Sequence, residues 1–329
     1  MSKIAILGAG SFGVALARLL AKKDNEVYLW SFFEDEAKML REEREHKDKL
    51  PNVKIPDSVV CTSDVKLTLQ DAEIVVMVVP SHVIRATSKT IFKYIKKDTI
   101  IVCCSKGIEQ GTDMILTQVI KQEIPQCRVG VLSGPTHAEE VARDIPTAIV
   151  ATSEDMEVAE RIQDVFMTED FRVYTNTDVV GVELGGALKN IIALCAGIVD
   201  GLGLGDNTKA ALMTRGMAEI VRLGEAMGAK KETFLGLTGI GDLIVTCTSM
   251  HSRNRRAGIL IGQGKTKDEA VEEVKMVVEG ITTSKGAYEL AKKLNISMPI
   301  TEKAYSVLFN GEDPKTAVYE LMNRDKKSE

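Results

Sequence analysis

The spacing of apolar residues changes character about halfway along the chain. In the first half, short and nearly continuous apolar runs at residues 3–7, 26–30, 74–79, 99–103, 129–132 and 148–151 predict strands buried on both faces of a parallel sheet. Between them, residues 14–22, 34–45, 81–94 and 114–123 carry apolar positions at helical spacing. That alternation predicts βαβ units and a doubly wound sheet. Beyond residue 177 the β-branched runs give way to helical patterns at 178–200, 208–227, 268–275, 284–294, 301–310 and 314–322. The reading is α/β: a parallel-sheet domain over 1–176 and an all-helical domain over 177–329.

Composition narrows the class. Apolar residues make up 44% and charged residues 27% of 329, enough for two ordinary hydrophobic cores. A net charge of −5 speaks against a nucleic-acid binder and leaves room for a local basic pocket. The six cysteines are scattered without C-x-x-C spacing, which predicts free, mostly buried thiols. No metal is expected: none of the four histidines stands four residues from another, and His46 and His251 read as surface residues. His82, after Pro80-Ser81, is expected to border a cofactor, and His137 to shape a substrate loop. No apolar run approaches the ~18–20 residues of a membrane span. The run that opens the chain is too short for a signal peptide, so a cytoplasmic location is expected.

Gly8-Ala9-Gly10-Ser11-Phe12-Gly13 is G-x-G-x-x-G, placed directly after a predicted strand and at the opening of a predicted helix. In that context the motif reads as a Rossmann dinucleotide loop. Gly8 permits the turn, Gly10 lets the backbone approach a pyrophosphate, and Gly13 lets the helix pack on the strand. Free N–H groups at the helix start then face the phosphates. The acid that usually holds the adenosine ribose at the end of the second strand is missing: the strand ends Trp30-Ser31-Phe32-Phe33, and Glu34 and Asp35 follow where a helix starts. No arginine stands there for a 2′-phosphate, so NAD and NADP both stay open. Phe32 and Phe33 read equally as an adenine platform and as core residues.

Two features of the second half suggest chemistry. Lys189 lies in an apolar helix whose same-face neighbours Gly185, Gly186, Ala193 and Ala196 are small, with Ile192 the bulky exception. Small neighbours leave room for a ligand, and partial burial would bring the amine toward the range of an acid/base catalyst. A lysine snorkelling at a helix contact is the structural alternative. Farther on, Thr246, Ser249, Ser252 and Asn254 stand among Arg253, Arg255 and Arg256, an inventory that suits a phosphate. A solvated helix face is the alternative there.

With these residues in view, the chain resembles the NAD(P)-dependent glycerol-3-phosphate dehydrogenases, most of all the bacterial type. The resemblance lies in GAGSFGVALA (8–17), SKGIE (105–109), LSGPTHAEEVA (132–142), GALKNIIALCAGI (186–198), TGIGDLIVTC (238–247), SRNRRAG (252–258) and VVEG (277–280), in register along nearly the whole chain. It implies interconversion of dihydroxyacetone phosphate and sn-glycerol 3-phosphate with NAD or NADP, feeding phospholipid synthesis. A homodimer is implied, as is a helical domain like that of 6-phosphogluconate dehydrogenase. Lys189 would be the acid/base, Lys106 the second active-site lysine near cofactor and substrate, and Asp242 the partner of Lys189 or of a substrate hydroxyl. Gly134, Thr136, Asn190 and Thr246 would line the substrate site, while Ser252, Arg253 and Asn254 hold its phosphate. Ser11, Phe12, Phe32, Ala138, Arg253, Val277 and Glu279 would join the glycine loop and Lys106 at the cofactor, in a cleft between the domains. Phe32 is the clearest departure, since the bacterial family often has arginine there. Two other readings remain: a hydroxyacid or 6-phosphogluconate type of dehydrogenase, and a non-catalytic dinucleotide sensor.

Overall fold

The structure is a computed structural model that describes residues 2–326 and 328. The chain forms two compact units, residues 1–109 with 114–183, and residues 110–113 with 184–329.

The first unit is built on ten strands: β1 (Lys3–Leu7), β2 (Glu26–Trp30), β3 (Glu45–His46), β4 (Leu50–Lys54), β5 (Val60–Thr62), β6 (Ile74–Met77), β7 (Ile100–Cys103), β8 (Arg128–Ser133), β9 (Thr147–Thr152) and β10 (Phe171–Asn176). Eight of them make one sheet in the order β10-β9-β8-β7-β6-β1-β2-β5. The helices of this unit are α1 (Ser11–Ala21), α2 (Glu34–Glu43), α3 (Val65–Leu69), α4 (Ile84–Ile91), α5 (Leu116–Glu123), α6 (Ala138–Val141) and α7 (Met156–Phe166). Ile4, Ile6, Val76 and Val102 of the sheet share one core with Leu16 and Leu20 of α1 and with Ile162 and Phe166 of α7. Strands this apolar are stable only when covered on both faces, and the helices cover them.

The sheet departs from the expected parallel pattern at one place: β8 pairs with β9 antiparallel. The connection between them holds only the short α6, too little for the helical crossover that a parallel neighbour needs. The hydrophobic pattern also misses the hairpin β3–β4, the short β5 and the edge strand β10. These are two- to six-residue segments with alternating or polar faces, and pairing more than periodicity defines them. The helix expected over 34–45 ends at Glu43 because Arg44 turns left-handed at φ 53°. His46, expected at the surface, is buried: its ring lies against the carboxylate of Glu36.

In the second unit the helices are α8 (Val179–Gly201), whose first turn belongs to the first unit, then α9 (Gly205–Ala226), α10 (Asp242–Thr248), α11 (Arg253–Gly262), α12 (Lys267–Val274), α13 (Glu279–Lys293), α14 (Pro299–Phe309) and α15 (Pro314–Met322). The pattern reading missed α10 and α11, whose polar faces carry the candidate site. It also underrated α8, which at 23 residues and a mean hydropathy of 1.6 is long and apolar enough to cross a membrane; 94% of its most apolar window is buried inside the protein. Glu183, Lys189 and Asp200 interrupt its apolar run in the sequence, and each has a polar partner in the fold.

Candidate functional site

In the first unit, β1 ends at Leu7 and α1 begins at Ser11, so the glycine loop is the turn between them. Gly8 adopts φ +117°, and a Cβ there would lie 2.8 Å from the Val78 carbonyl oxygen. A Cβ on Gly13 would meet the Gly8 carbonyl oxygen at 1.9 Å, so the helix must lie this close to the turn. Gly10 differs. A Cβ there would meet nothing within 4 Å, so no protein contact demands glycine. No side chain caps the start of α1 either. An open approach to uncapped helix-start amides fits a pyrophosphate. Ser11 Oγ donates to the Lys49 carbonyl at 2.7 Å, and Phe12 packs half-buried against the core.

After β2, Ser31 turns inward, while Phe32 and Phe33 stand 74% and 65% exposed with their rings edge to face at 5.2 Å. The reading of these two as core residues is overturned; as exposed rings at the strand end they can lie against a base. A carboxylate does reach this place, from a position the linear motif does not reveal: Glu36 of α2 accepts a hydrogen bond from Ser31 Oγ.

Lys106 follows β7 on a loop. Its Nζ donates to the Gly134 carbonyl at 3.2 Å, and Thr136 Oγ1 donates to the same oxygen at 3.2 Å. Gly134 has φ +157°, and a Cβ would stand 3.1 Å from Ile149 Cα. The loop is pinned at one end by Ser105 Oγ, which donates to the Val79 carbonyl, and at the other by Arg85, whose guanidinium grips both carboxylate oxygens of Glu109 at 2.8 and 2.6 Å. Ala138 is the buried first residue of α6, with His137 just before it, and His82 is exposed after β6. The structure thus brings Lys106, Gly134 and Thr136 together.

In the second unit, Lys189 is buried in α8. Its Nζ donates to Asp242 Oδ1 at 2.5 Å and to Thr246 Oγ1 at 2.6 Å, both on α10. Thr246 in turn donates to the Asp242 carbonyl at 2.6 Å, which fixes its hydroxyl with a lone pair toward the amine. The snorkelling alternative is overturned, because this amine points inward to a carboxylate. Of the small residues beside Lys189, Gly185 faces neighbouring backbone. A Cβ on Gly185 would meet the Thr238 carbonyl oxygen at 2.6 Å, and one on Gly197 the Arg255 carbonyl oxygen at 2.1 Å. Both glycines admit neighbouring backbone, from the turn before α10 at Gly185 and from α11 at Gly197.

Asn254 Nδ2 donates to Asn190 Oδ1 at 2.9 Å, while its own Oδ1 accepts from the Gly280 N–H at 2.8 Å. This relay ties the starts of α11 and α13 to α8, with Val277 and Glu279 in the turn that opens α13. Ser252 caps α11 by accepting from the Arg255 N–H, and Arg253 is the half-buried first residue of that helix. Of the three arginines, Arg255 is committed elsewhere: its Nε and Nη2 contact Asp200 Oδ2 at 2.8 and 2.7 Å. Sequence reasoning missed two further polar groups, Glu183 and Glu219. Each is a carboxylate in an apolar stretch, a visible signal, and each caps another helix: Glu183 accepts from the Thr117 N–H at the start of α5, Glu219 from the Ile300 and Thr301 N–H groups at the start of α14.

Comparison with known proteins places the chain in a family. Residues 3–159 match the family described as NAD-dependent glycerol-3-phosphate dehydrogenase N-terminus, and residues 178–319 its C-terminus. A curated Clostridium perfringens protein named glycerol-3-phosphate dehydrogenase [NAD(P)+] is 58% identical over 329 residues, covering 100% of this chain and 99% of that one. A Clostridium tetani protein of the same name is 56% identical over 99% of this chain and 93% of its own. Among solved structures, glycerol-3-phosphate dehydrogenase from Coxiella burnetii superposes with a TM-score of 0.95 at 39% identity, covering 98% of this chain and 99% of the other. The chain belongs to the NAD-dependent glycerol-3-phosphate dehydrogenase family.

Proposed function

We propose that this protein reduces dihydroxyacetone phosphate to sn-glycerol 3-phosphate, and catalyses the reverse reaction, with NAD(H) or NADP(H). One observation carries the reading: a buried ammonium, Lys189, held by Asp242 and Thr246 in a unit that also presents Ser252, Arg253 and Asn254. Residues 1–176 would carry most of the cofactor site and residues 177–329 most of the substrate site. The glycine loop, Lys106 and the exposed Phe32 would hold the dinucleotide, together with Ala138, Arg253, Val277 and Glu279. When bound, the reduced nicotinamide supplies a hydride to C2. The chain's own groups do the rest. Lys189 gives a proton to the C2 oxygen as charge develops there, and takes it back in the reverse direction. Asp242 and Thr246 hold the amine in one orientation. Lys106 is the second active-site lysine that the resemblance implies, and a positive charge of that kind stabilises an alkoxide more than a ketone. Arg253 with Ser252 and Asn254 holds the phosphate, so a substrate lacking it binds poorly.

The working direction is reduction, which supplies the glycerol backbone of phospholipids, and the working form is a cytoplasmic homodimer. Support for the dimer comes from the resemblance, with exposed Leu235, Ile240 and Ile244 as the apolar surface to test; light scattering at twice 35.9 kDa checks it. A substrate panel followed by nicotinamide absorbance tests the activity. Turnover of dihydroxyacetone phosphate is expected. Turnover confined to 2-keto acids or 6-phosphogluconate would replace this reading with a hydroxyacid or phosphogluconate one, and cofactor binding without any turnover would favour a sensor.

A further inference from the structure

The carboxylate that the second strand lacks in sequence is supplied in space and then neutralised. Glu36, in the first turn of α2, folds back on Ser31, the residue after β2, and accepts from its hydroxyl. Its other oxygen accepts from His46 Nε2 at 3.0 Å and from the Lys49 ammonium. The Lys49 N–H donates to His46 Nδ1 at 3.3 Å, which ties the ring to the same segment. Lys49 is joined to the dinucleotide loop through its carbonyl, which accepts from Ser11 Oγ at 2.7 Å. The cluster therefore runs from the phosphate loop to the end of β2, the stretch that an adenosine ribose spans in a Rossmann fold. Burial opposes the charge on Glu36, but the bonds from His46, Lys49 and Ser31 outweigh it and hold the carboxyl down at about 2. The nearby Glu34 is engaged by Arg41 and Ser63. The carboxylate of Glu36 is thus paired with the ammonium of Lys49.

We propose that Glu36 sets the discrimination between a ribose 2′-hydroxyl and a ribose 2′-phosphate, and that Lys49 balances it so that both nucleotides are accepted. The inference rests on reading this unit as the dinucleotide site. A free carboxylate here would accept from the 2′-hydroxyl and repel a 2′-phosphate. Paired with Lys49, it does neither strongly. Removing either partner should tip the balance in opposite directions, because a doubly charged phosphate responds to one unit of local charge far more than a hydroxyl does.

The test is calorimetric titration of the whole protein with 5′-AMP and with adenosine 2′,5′-bisphosphate, beside kcat/KM ratios for NADH and NADPH. Lys49→Met is expected to move both ratios roughly tenfold toward the unphosphorylated ribose, and Glu36→Gln roughly tenfold toward the 2′-phosphate. Lys49→Gln replaces Lys49→Met should its melting curve show a lost fold. A ratio that stays put in either variant, or moves the same way in both, overturns the proposal. Shifted nucleotide affinities without turnover of dihydroxyacetone phosphate would leave it standing and remove the proposed reaction instead.

Discussion

Lys189 Nζ and Asp242 Oδ1 meet at 2.5 Å inside the helical unit, their side chains only 7% and 2% exposed. Taking two charges out of water is costly, and a buried pair of this kind is weak evidence for stability alone. Thr246 gives the amine a second acceptor, one turn along α10 from Asp242. The arrangement makes sense as a proton donor held in one orientation.

Lys189→Ala should therefore lower turnover by roughly 10²–10⁴ while dinucleotide affinity stays within a small factor. Stopped-flow rates with a parallel fluorescence titration of NADH check it. Turnover close to that of the unaltered enzyme would assign the proton to another group. Asp242→Asn should lose rate and stability together, because removing one partner of a buried pair costs about 3–5 kcal/mol.

Arg253→Ala should raise the KM for dihydroxyacetone phosphate tenfold or more with a smaller change in kcat, since a guanidinium–phosphate pair contributes mainly to binding. Initial rates over a wide substrate range measure the split. An unchanged KM would place the phosphate elsewhere.

The two loop glycines should fail differently. Gly13→Ala puts a methyl 1.9 Å from a backbone oxygen, so loss of thermal stability is expected. Gly10→Ala meets only open space and keeps an extended φ of −68°, so its Tm should hold while its nucleotide affinity falls. Melting curves and NADH titrations of both variants decide the matter; equal losses of stability would mean that Gly10 is needed for the fold.

Burial pushes the carboxyl of Glu219 up to about 7, against the pull of the Ile300 and Thr301 amides it caps. The folded chain then keeps a proton that the unfolded chain releases near 4.5. The resulting stability is fully present below about pH 4.5 and is lost as pH rises through 7. At about 1.36 kcal/mol per unit the effect has an upper bound of about 3 kcal/mol. Glu219→Gln should flatten that part of the curve in urea unfolding between pH 4.5 and 8. An identical pH slope in the variant would show that Glu219 enters the fold already ionised.

Local pattern determined much of this protein. The central strands of the sheet, the glycine loop between β1 and α1, and the apolar stretch around Lys189 are written in runs of a few neighbouring residues, because strands buried on both faces and tight strand-to-helix turns impose local composition. Tertiary structure alone decided the partnerships. Lys189 and Asp242 are 53 residues apart, and Asn190 and Asn254 are 64 apart. Glu36 finds His46 only because the β3–β4 hairpin folds over α2. Whether Phe32 was core or surface, and whether Gly185 faced a ligand or a backbone, followed from which element packed beside each. Periodicity records the burial of a face and not the identity of its neighbour, so long-range pairing of charges stays invisible until the chain has folded.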